Sequence, residues 1–399
     1  MTKFNLLREI KELKNQLSYS KRYGFFFGAG TSCALGVPDV LTLTKQVHAG
    51  LDGHYQQKYK KIMLDLSSTY TDRTINIEDI LNHLRQIRAI TGEKDDKKYI
   101  DISGKVAKEL DKEICKLIYS LINAKEADVN LAVTKKFCAW LNMQNNSFLK
   151  EIFTSNYDLI LEKSLEEINV PYFDGFVGSY EPFFWQESIE KFVKKADLTQ
   201  NWIRLWKIHG SLNWFWKENK ETGSHSIVRG GKINDIKSIE HELVVYPSRE
   251  KYDSSKKQPF VAYFDRLKNV LSNGELLFLF SGYSFSDQHI NEVIFNSLRQ
   301  NPRLSVLVFC YRDDEVIKLF ESTSSFLNLA AFGPKKAIIN GTLGDWSLDE
   351  EEIKNSETAA SFWDDGKSEM ILGDFTKLVE FLILNSGKKD NIEAAANGK

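Results

Sequence analysis

The chain has 399 residues, 42% of them hydrophobic, with 53 basic and 55 acidic side chains and a net charge of −2. That length exceeds what one compact core usually takes, so one large domain plus a substantial module is expected, and the charge balance excludes a general electrostatic pull toward nucleic acid or membrane. The four cysteines (Cys33, Cys115, Cys138, Cys310) lie far apart without a C-x-x-C pair, which argues against a disulfide framework or a zinc site and fits a reducing cytoplasm.

The N-terminal stretch is charged throughout and does not read as a signal peptide. No apolar run approaches the ~20 residues of a membrane span. Leu6, Ile10, Leu13 and Leu17 make one helical stripe, read as a helix packed on its own domain, with a subunit contact as the alternative. Phe25-Phe26-Phe27 predicts a buried strand. Gly28-Ala29-Gly30-Thr31-Ser32 follows as a tight turn into a helix start, where glycines allow close backbone approach and free N–H groups can hold a pyrophosphate. Residues 1–43 thus form a first strand–turn–helix unit.

From about Thr44 to Met143 the periodicity is helical. One stripe is Ile77, Ile80, Leu81, Leu84 and Ile87; a second is Val106, Leu110, Ile114, Leu117, Ile118 and Leu121; Phe137, Trp140 and Leu141 extend a third. Residues 91–98 read as a loop, and no strand signal interrupts. A helical module inserted at 44–147, serving as lid and packing surface, is expected.

Residues 148–386 return to the large domain. Ile152-Phe153 is a strand signal ending in Thr154-Ser155-Asn156-Tyr157-Asp158, with a helix after it. The aromatics between 171 and 185 read as core and loop packing. Residues 202–208 alternate like a strand and run into His209-Gly210-Ser211. Residues 218–240 are polar, with Gly223 and Gly230-Gly231, and read as a surface excursion; Leu243-Val244-Val245-Tyr246 is a short strand. A short helix is expected over 265–271. Leu276-Leu277-Phe278-Leu279-Phe280 reads as a strand buried on both faces, ending in Ser281-Gly282-Tyr283-Ser284. Asp287 reads as the N-cap of a helix over 288–300. Residues 304–310 and Ile338-Ile339 give further strands, a helix spans 374–385, and 387–399 read as a flexible tail.

Buried strands alternating with helices predict an α/β fold, a Rossmann-like parallel sheet with helices on both faces, carrying the inserted helical module. Ligands of such sheets sit at the carboxyl ends of the strands. The four polar clusters at 28–32, 154–158, 209–211 and 282–284 each follow a strand signal, so a parallel sheet brings them to one edge. A dinucleotide dehydrogenase is disfavoured: the third glycine of G-x-G-x-x-G falls on Cys33, and the acidic ribose ligand falls in helical sequence.

The run Gly28-Ala29-Gly30-Thr31-Ser32-Cys33-Ala34-Leu35-Gly36-Val37-Pro38-Asp39 resembles the sirtuin NAD loop, GAGxSxxxGIPD, at identical spacing. Thr154-Ser155-Asn156-Tyr157-Asp158 resembles the sirtuin T-x-N-x-D segment, His209-Gly210 its catalytic His-Gly, and Gly282-Tyr283-Ser284 its late G-x-S nucleotide loop. The departures are specific. No zinc cysteines lie between Leu212 and Pro247, Val40 and Leu41 replace the aromatic and Arg after the sirtuin PD, and Ser155 replaces the Gln of T-Q-N.

In these departures, in the long helical insert, and in Asn76-Ile77-Glu78-Asp79 and Lys207-Ile208-His209-Gly210-Ser211, the chain resembles the zinc-less sirtuin-like proteins of bacterial anti-phage defence, which hydrolyse NAD. The resemblance implies NAD+ as substrate and no zinc. It implies a homo-oligomer and a HerA-type hexameric DNA-translocase ATPase as partner, with no direct nucleic-acid or membrane binding. Residues 28–32 would hold the pyrophosphate. Asn156 would bond the ribose hydroxyls or position water, and His209 would be the general base. Asp39, after Pro38, would bond the nicotinamide carboxamide; Pro38, Thr154, Ser155, Asp158 and Gly210 would belong to the cofactor-binding set, Asp158 by orienting its loop; Gly282 and Ser284 would line the adenosine side. Cys33 is expected to fill a small site. Protein deacylation or ADP-ribosyl transfer, and a non-catalytic NAD or ADP-ribose sensor, stay open as alternatives.

Overall fold

Phe25, Phe26 and Phe27 are all buried, which a strand achieves only when both of its faces are covered. The computed structural model describes residues 2–20, 22–71, 74–92, 94–144, 148–191, 202–218, 225–230, 242–245, 258–348, 353 and 358–398. The chain opens with β1 (Thr2–Asn5), α1 (Leu6–Tyr19), β2 (Tyr23–Phe27) and the short α2 (Ala29–Cys33). A helical stretch follows: α3 (Val40–Gly50), α4 (Gly53–Thr69), α5 (Ile77–Thr91), the hairpin β3 (Lys98–Tyr99) and β4 (Ile102–Ser103), α6 (Gly104–Asp128) and α7 (Ala132–Asn142). Next are β5 (Lys150–Thr154), α8 (Ile160–Glu167), β6 (Tyr172–Phe173), β7 (Phe176–Val177), β8 (Phe183–Phe184), α9 (Gln186–Lys191), β9 (Ile203–Lys207), β10 (Gly210–Glu218), β11 (His225–Arg229) and β12 (Glu242–Val245). The chain continues through α10 (Phe260–Ser272), β13 (Leu276–Ser281), α11 (Gln288–Gln300), β14 (Leu304–Phe309), α12 (Asp313–Thr323), β15 (Leu329–Phe332), β16 (Lys336–Ile339) and β17 (Thr342–Ser347). It ends with β18 (Trp363–Asp364), β19 (Glu369–Met370), α13 (Phe375–Leu384) and α14 (Lys389–Ala396).

Ten strands form the main sheet in the order β1-β17-β16-β15-β14-β13-β2-β5-β9-β6. Neighbours run parallel except around β16, which is antiparallel to both β15 and β17. The side chains of β2 alternate between two cores. Phe25 and Phe27 pack with α1, α7, α13 and α14 on one face, while Phe26 packs with α10, α11 and α12 on the other. This is the Rossmann-like α/β arrangement expected from the alternating pattern, with helices on both faces.

A third core belongs to the inserted module. Leu43, Val47, Ile62, Ile80, Leu84 and Ile114 meet there, joined by Leu212 and Phe215 of β10. α5 and α6 are also pinned by a buried carboxylate: Asp111 accepts from Arg85 Nε at 3.2 Å and Arg88 Nη1 at 2.7 Å. A second, five-stranded sheet runs β12-β10-β11-β8-β7 with antiparallel pairing.

The structure departs from the sequence reading in several places. α7, expected within the module, packs on the main sheet, with Phe137 edge-on to Phe25 at 5.1 Å. The hairpin β3–β4 interrupts the helical stretch. His225–Arg229, inside the expected surface excursion, is a strand paired with β10; residues 219–224 and 231–241 of that excursion, and Tyr246 of the following strand reading, lie outside the described residues. β1 pairs parallel with β17, Thr2 opposite Gly344. α1, by contrast, packs into the core of its own domain through Leu6, Ile10 and Leu13, as the stripe predicts. The expected flexible tail instead contains α14, whose Ile392 and Ala396 are buried beside α7 and α13, because these two residues fall four apart on one helical face.

Substituting Ile392→Asp should lower stability by about 3 kcal/mol, since it buries an unpaired carboxylate. Thermal denaturation checks this; an unchanged midpoint would mean the C-terminal helix contributes nothing to the core.

Candidate active site

Four strand ends lie in one row. Ser281 of β13 stands opposite Phe27 of β2, Phe27 opposite Thr154 of β5, and Thr154 opposite Lys207 of β9. The four polar clusters therefore leave the sheet side by side, as the sequence order requires.

The ladder runs on past the strands. Gly28 N donates to Ser281 O at 3.0 Å and Gly30 N to Gly282 O at 2.9 Å. A Cβ on Gly30 would stand 2.6 Å from Gly282 Cα, and one on Gly282, whose φ is +65°, would stand 2.4 Å from Thr31 N. These glycines thus serve each other first: two turns pack backbone against backbone. Thr31 N also donates to Gly28 O, at 3.1 Å. Three of the five N–H groups expected to cradle a pyrophosphate are therefore engaged within the protein.

On the other side of β2, Thr154 Oγ1 donates to Phe27 O at 2.9 Å and accepts from Asn156 N at 3.0 Å. This fold of the backbone aims Asn156 at the glycine turn. Its Nδ2 donates to Thr31 Oγ1 at 3.1 Å and to Ser32 Oγ at 2.9 Å, and Ser32 Oγ donates to Asp158 Oδ2 at 2.6 Å. Asn156 Oδ1 is buried and has no hydrogen-bond donor among the described residues. Beneath the turn, the fully buried Lys207 donates through Nζ to Tyr157 O, Asp158 O and Glu162 Oε1.

His209 follows β9 and is itself buried; Gly210 after it takes φ +95°, which lets the chain reverse into β10. The ring Nε2 stands 3.0 Å from Asp287 Oδ2. Asp287 caps α11 as expected, its Oδ1 accepting from His289 N and Ile290 N. Burial pulls the imidazole down, but the Asp287 hydrogen bond and the charges of Glu78 and Asp287 outweigh it, so its pKa is raised. Burial pushes Asp287 up, yet the His209 bond and charge and the two amides hold it at about 2. The sign of each contribution to stability follows. The part from His209 is complete below its unfolded pKa and is lost as pH rises through the raised value. The part from Asp287 is complete above the ordinary carboxylate value and is lost as pH falls toward about 2.

Not every expected residue joins this network. Asp39 is exposed and caps α3, accepting from Thr42 N at 2.7 Å, with Pro38 before it. Ser284 is exposed and shares a 2.9 Å bond with Ser286. Ser155 contributes its backbone N–H, to Phe27 O. Cys33 keeps its proton: burial and the charges of Asp39 and Asp158 push its thiol up to about 11. Among the described residues, no group of three or more His, Cys, Asp or Glu could hold a metal ion. Three functional candidates, Glu78, Tyr157 and Lys207, stand in the sequence only as members of segments that carry the resemblance, with no role of their own. Tyr157 OH donates to Glu78 Oε1 at 2.6 Å.

Residues 150–328 match the family described as "SIR2-like domain", and the fold resembles solved Sir2 structures. One is a Sir2 homologue in complex with NAD, 11% identical over 95% of this chain and 96% of that one, with a TM-score of 0.38. Another is a Sir2 homologue mutant in complex with ADP-ribose, 13% identical over 75% of this chain and 83% of that one, with a TM-score of 0.35. No curated protein matches the chain. No helix among the described residues is long and apolar enough to cross a membrane.

Gly282→Ala should destabilise the protein by at least about 2 kcal/mol, combining left-handed strain with a backbone clash. Urea denaturation reads this as a lower midpoint; a wild-type midpoint would contradict the mutual packing of the two turns.

Proposed function

We propose that the chain hydrolyses NAD+ to ADP-ribose and nicotinamide. The observation that carries this reading is Asn156 Oδ1, a buried acceptor without a donor among the described residues, fixed by two hydroxyls at the glycine turn. A ribose hydroxyl or an attacking water supplies the missing proton donor. The match to the SIR2-like domain over 150–328 supports a nucleotide at this edge of the sheet.

The chemistry follows from the groups present. The oxygen of water bonds to ribose C1′, the bond from C1′ to the nicotinamide nitrogen breaks, and its electron pair neutralises the pyridinium. The proton of water passes to His209, directly or through a ribose hydroxyl. With Nε2–H directed at Asp287, the neutral ring carries its acceptor lone pair on Nδ1. Asp287 keeps that tautomer and stabilises the imidazolium that forms. The absence of cysteines between Leu212 and Pro247 supports water, rather than an acyl-lysine peptide, as acceptor. NAD depletion of this kind suits anti-phage defence, with a homo-oligomer working beside a HerA-type ATPase.

His209→Ala and Asn156→Ala should each reduce nicotinamide release at least about 100-fold while the protein stays folded. Mass-spectrometric product analysis checks this; full turnover by both variants would sink the assignment, and release that requires an acyl-lysine peptide would return it to deacylation.

The pH dependence has a definite sign. His209 must be neutral to accept a proton, so the rate climbs with pH and reaches half its maximum above the usual histidine value. Asp287→Asn removes the negative charge that helps to raise the pKa, so the half-maximal point should move to lower pH in initial-rate profiles.

A further inference from the structure

Glu78 sits in the first turn of α5, within Asn76-Ile77-Glu78-Asp79. That helix start is already secured without it. Asn76 Oδ1 accepts from Glu78 N and Asp79 N at 2.9 and 3.2 Å, and Asp79 Oδ2 accepts from Asn76 N at 3.1 Å. Ile77 N donates to Thr44 Oγ1 at 2.8 Å, tying α5 to α3. None of these bonds uses the Glu78 carboxylate.

That carboxylate instead turns toward the site. Glu78 Oε1 accepts from Tyr157 OH at 2.6 Å. Tyr157 is the residue next to Asn156, and its carbonyl accepts from Leu212 N at 3.0 Å and from Lys207 Nζ at 3.2 Å. It therefore ties three segments together: the module, the Asn156 turn and the chain on either side of His209. Burial pushes the Glu78 carboxyl up, while His209 and the Tyr157 bond pull it down. Among the described residues, the carboxylates that act on the His209 charge are Asp287 at the start of α11 and Glu78 at the start of α5; Asp79 acts in turn on Glu78. A carboxylate that the helix does not need, held where desolvation works against it, is explained by the Tyr157 hydroxyl it accepts from and by the attraction of the nearby imidazole.

We propose that Glu78, delivered by the inserted helical module, is a positioning residue for His209: it anchors Tyr157, whose carbonyl holds the chain on both sides of the imidazole, and it adds a second carboxylate charge to the one Asp287 sets against the ring. The module is then part of the site and not only a cover over it. If it moves away from the sheet, one of the two carboxylates leaves with it. The use of this arrangement in turnover rests on the NAD-hydrolase reading; the placement of the charge does not.

The test therefore has two readouts on the full chain. The His209 ring is titrated by ¹⁵N NMR, its resonance assigned by its loss in His209→Ala, and nicotinamide release from NAD+ is followed against pH. Glu78→Gln keeps the shape and removes the charge. It should lower the His209 midpoint by about one pH unit, move the acid limb of kcat/KM by the same amount, and leave KM within about twofold. Glu78→Asp retains the charge and should keep the midpoint near wild type. Tyr157→Phe releases the anchor and should reduce kcat about 10-fold; it serves also if Glu78→Gln does not fold. A merely structural Glu78 would lower thermal stability and leave the His209 midpoint in place. An unchanged midpoint in folded Glu78→Gln, or an unchanged kcat in Tyr157→Phe, overturns the proposal. If wild-type protein releases no nicotinamide, the hydrolase reading falls, and the NMR titration still decides where Glu78 acts.

Discussion

Gly30 and Gly282 approach until neither has room for a side chain, and the rest of the site is measured from that contact. The β2–β13 ladder does not stop at the strand ends but continues through Gly28 N to Ser281 O and Gly30 N to Gly282 O. A turn normally has freedom that a strand lacks. Here the turns inherit the register of the sheet, so the Thr31 and Ser32 hydroxyls are as fixed as the strand residues before them. This sharpens the use of glycine in the loop: the close approach it permits is first of all to another glycine turn.

The opposite side of β2 repeats the device with different chemistry. Ser155 N bonds Phe27 O, and Ile208 N bonds Thr154 O, so this ladder also extends beyond its strands. Lys207 then does what backbone amides cannot. Its buried ammonium gathers two carbonyls and the Glu162 carboxylate. A buried lysine is costly unless its donors are all used, and three acceptors match its three N–H bonds. The Tyr157–Asp158 backbone is thereby held still while Asn156 reaches across to the glycine turn.

The alternation of strands with helices and the meeting of four clusters were legible because buried parallel strands are continuous apolar runs and their polar exits stand out against them. The α11 boundaries were legible because Asp287 caps the helix with its own side chain. Other features depend on partners far along the chain. Thr2–Asn5 contains one large apolar residue, Phe4, and becomes a strand by pairing with Gly344 to Ser347. α7 has the same local periodicity as the module helices, and only the aromatic packing on Phe25 shows which core it joins. Glu78 was hidden for a different reason. A capping sequence accounts for an acidic first turn locally, so its reach to Tyr157 leaves no separate trace. Lys207 in a strand gives the same signal as a solvent-facing lysine.

The two carboxylates around His209 are not equivalent, and the difference has consequences for the imidazole. Asp287 has three partners: two amides at the N-terminus of α11, which favours negative charge, and the ring itself. Its amide bonds persist whether or not the ring is charged, so they oppose protonation even when His209 is neutral. Glu78 has a phenol on one oxygen and burial working against its charge, so its ionisation responds to the charge of the ring. Of the two, Asp287 fixes the tautomer and orientation, and Glu78 adjusts how strongly the proton is held. The fixed carboxylate comes from the main sheet's own helix and the adjustable one from the inserted module.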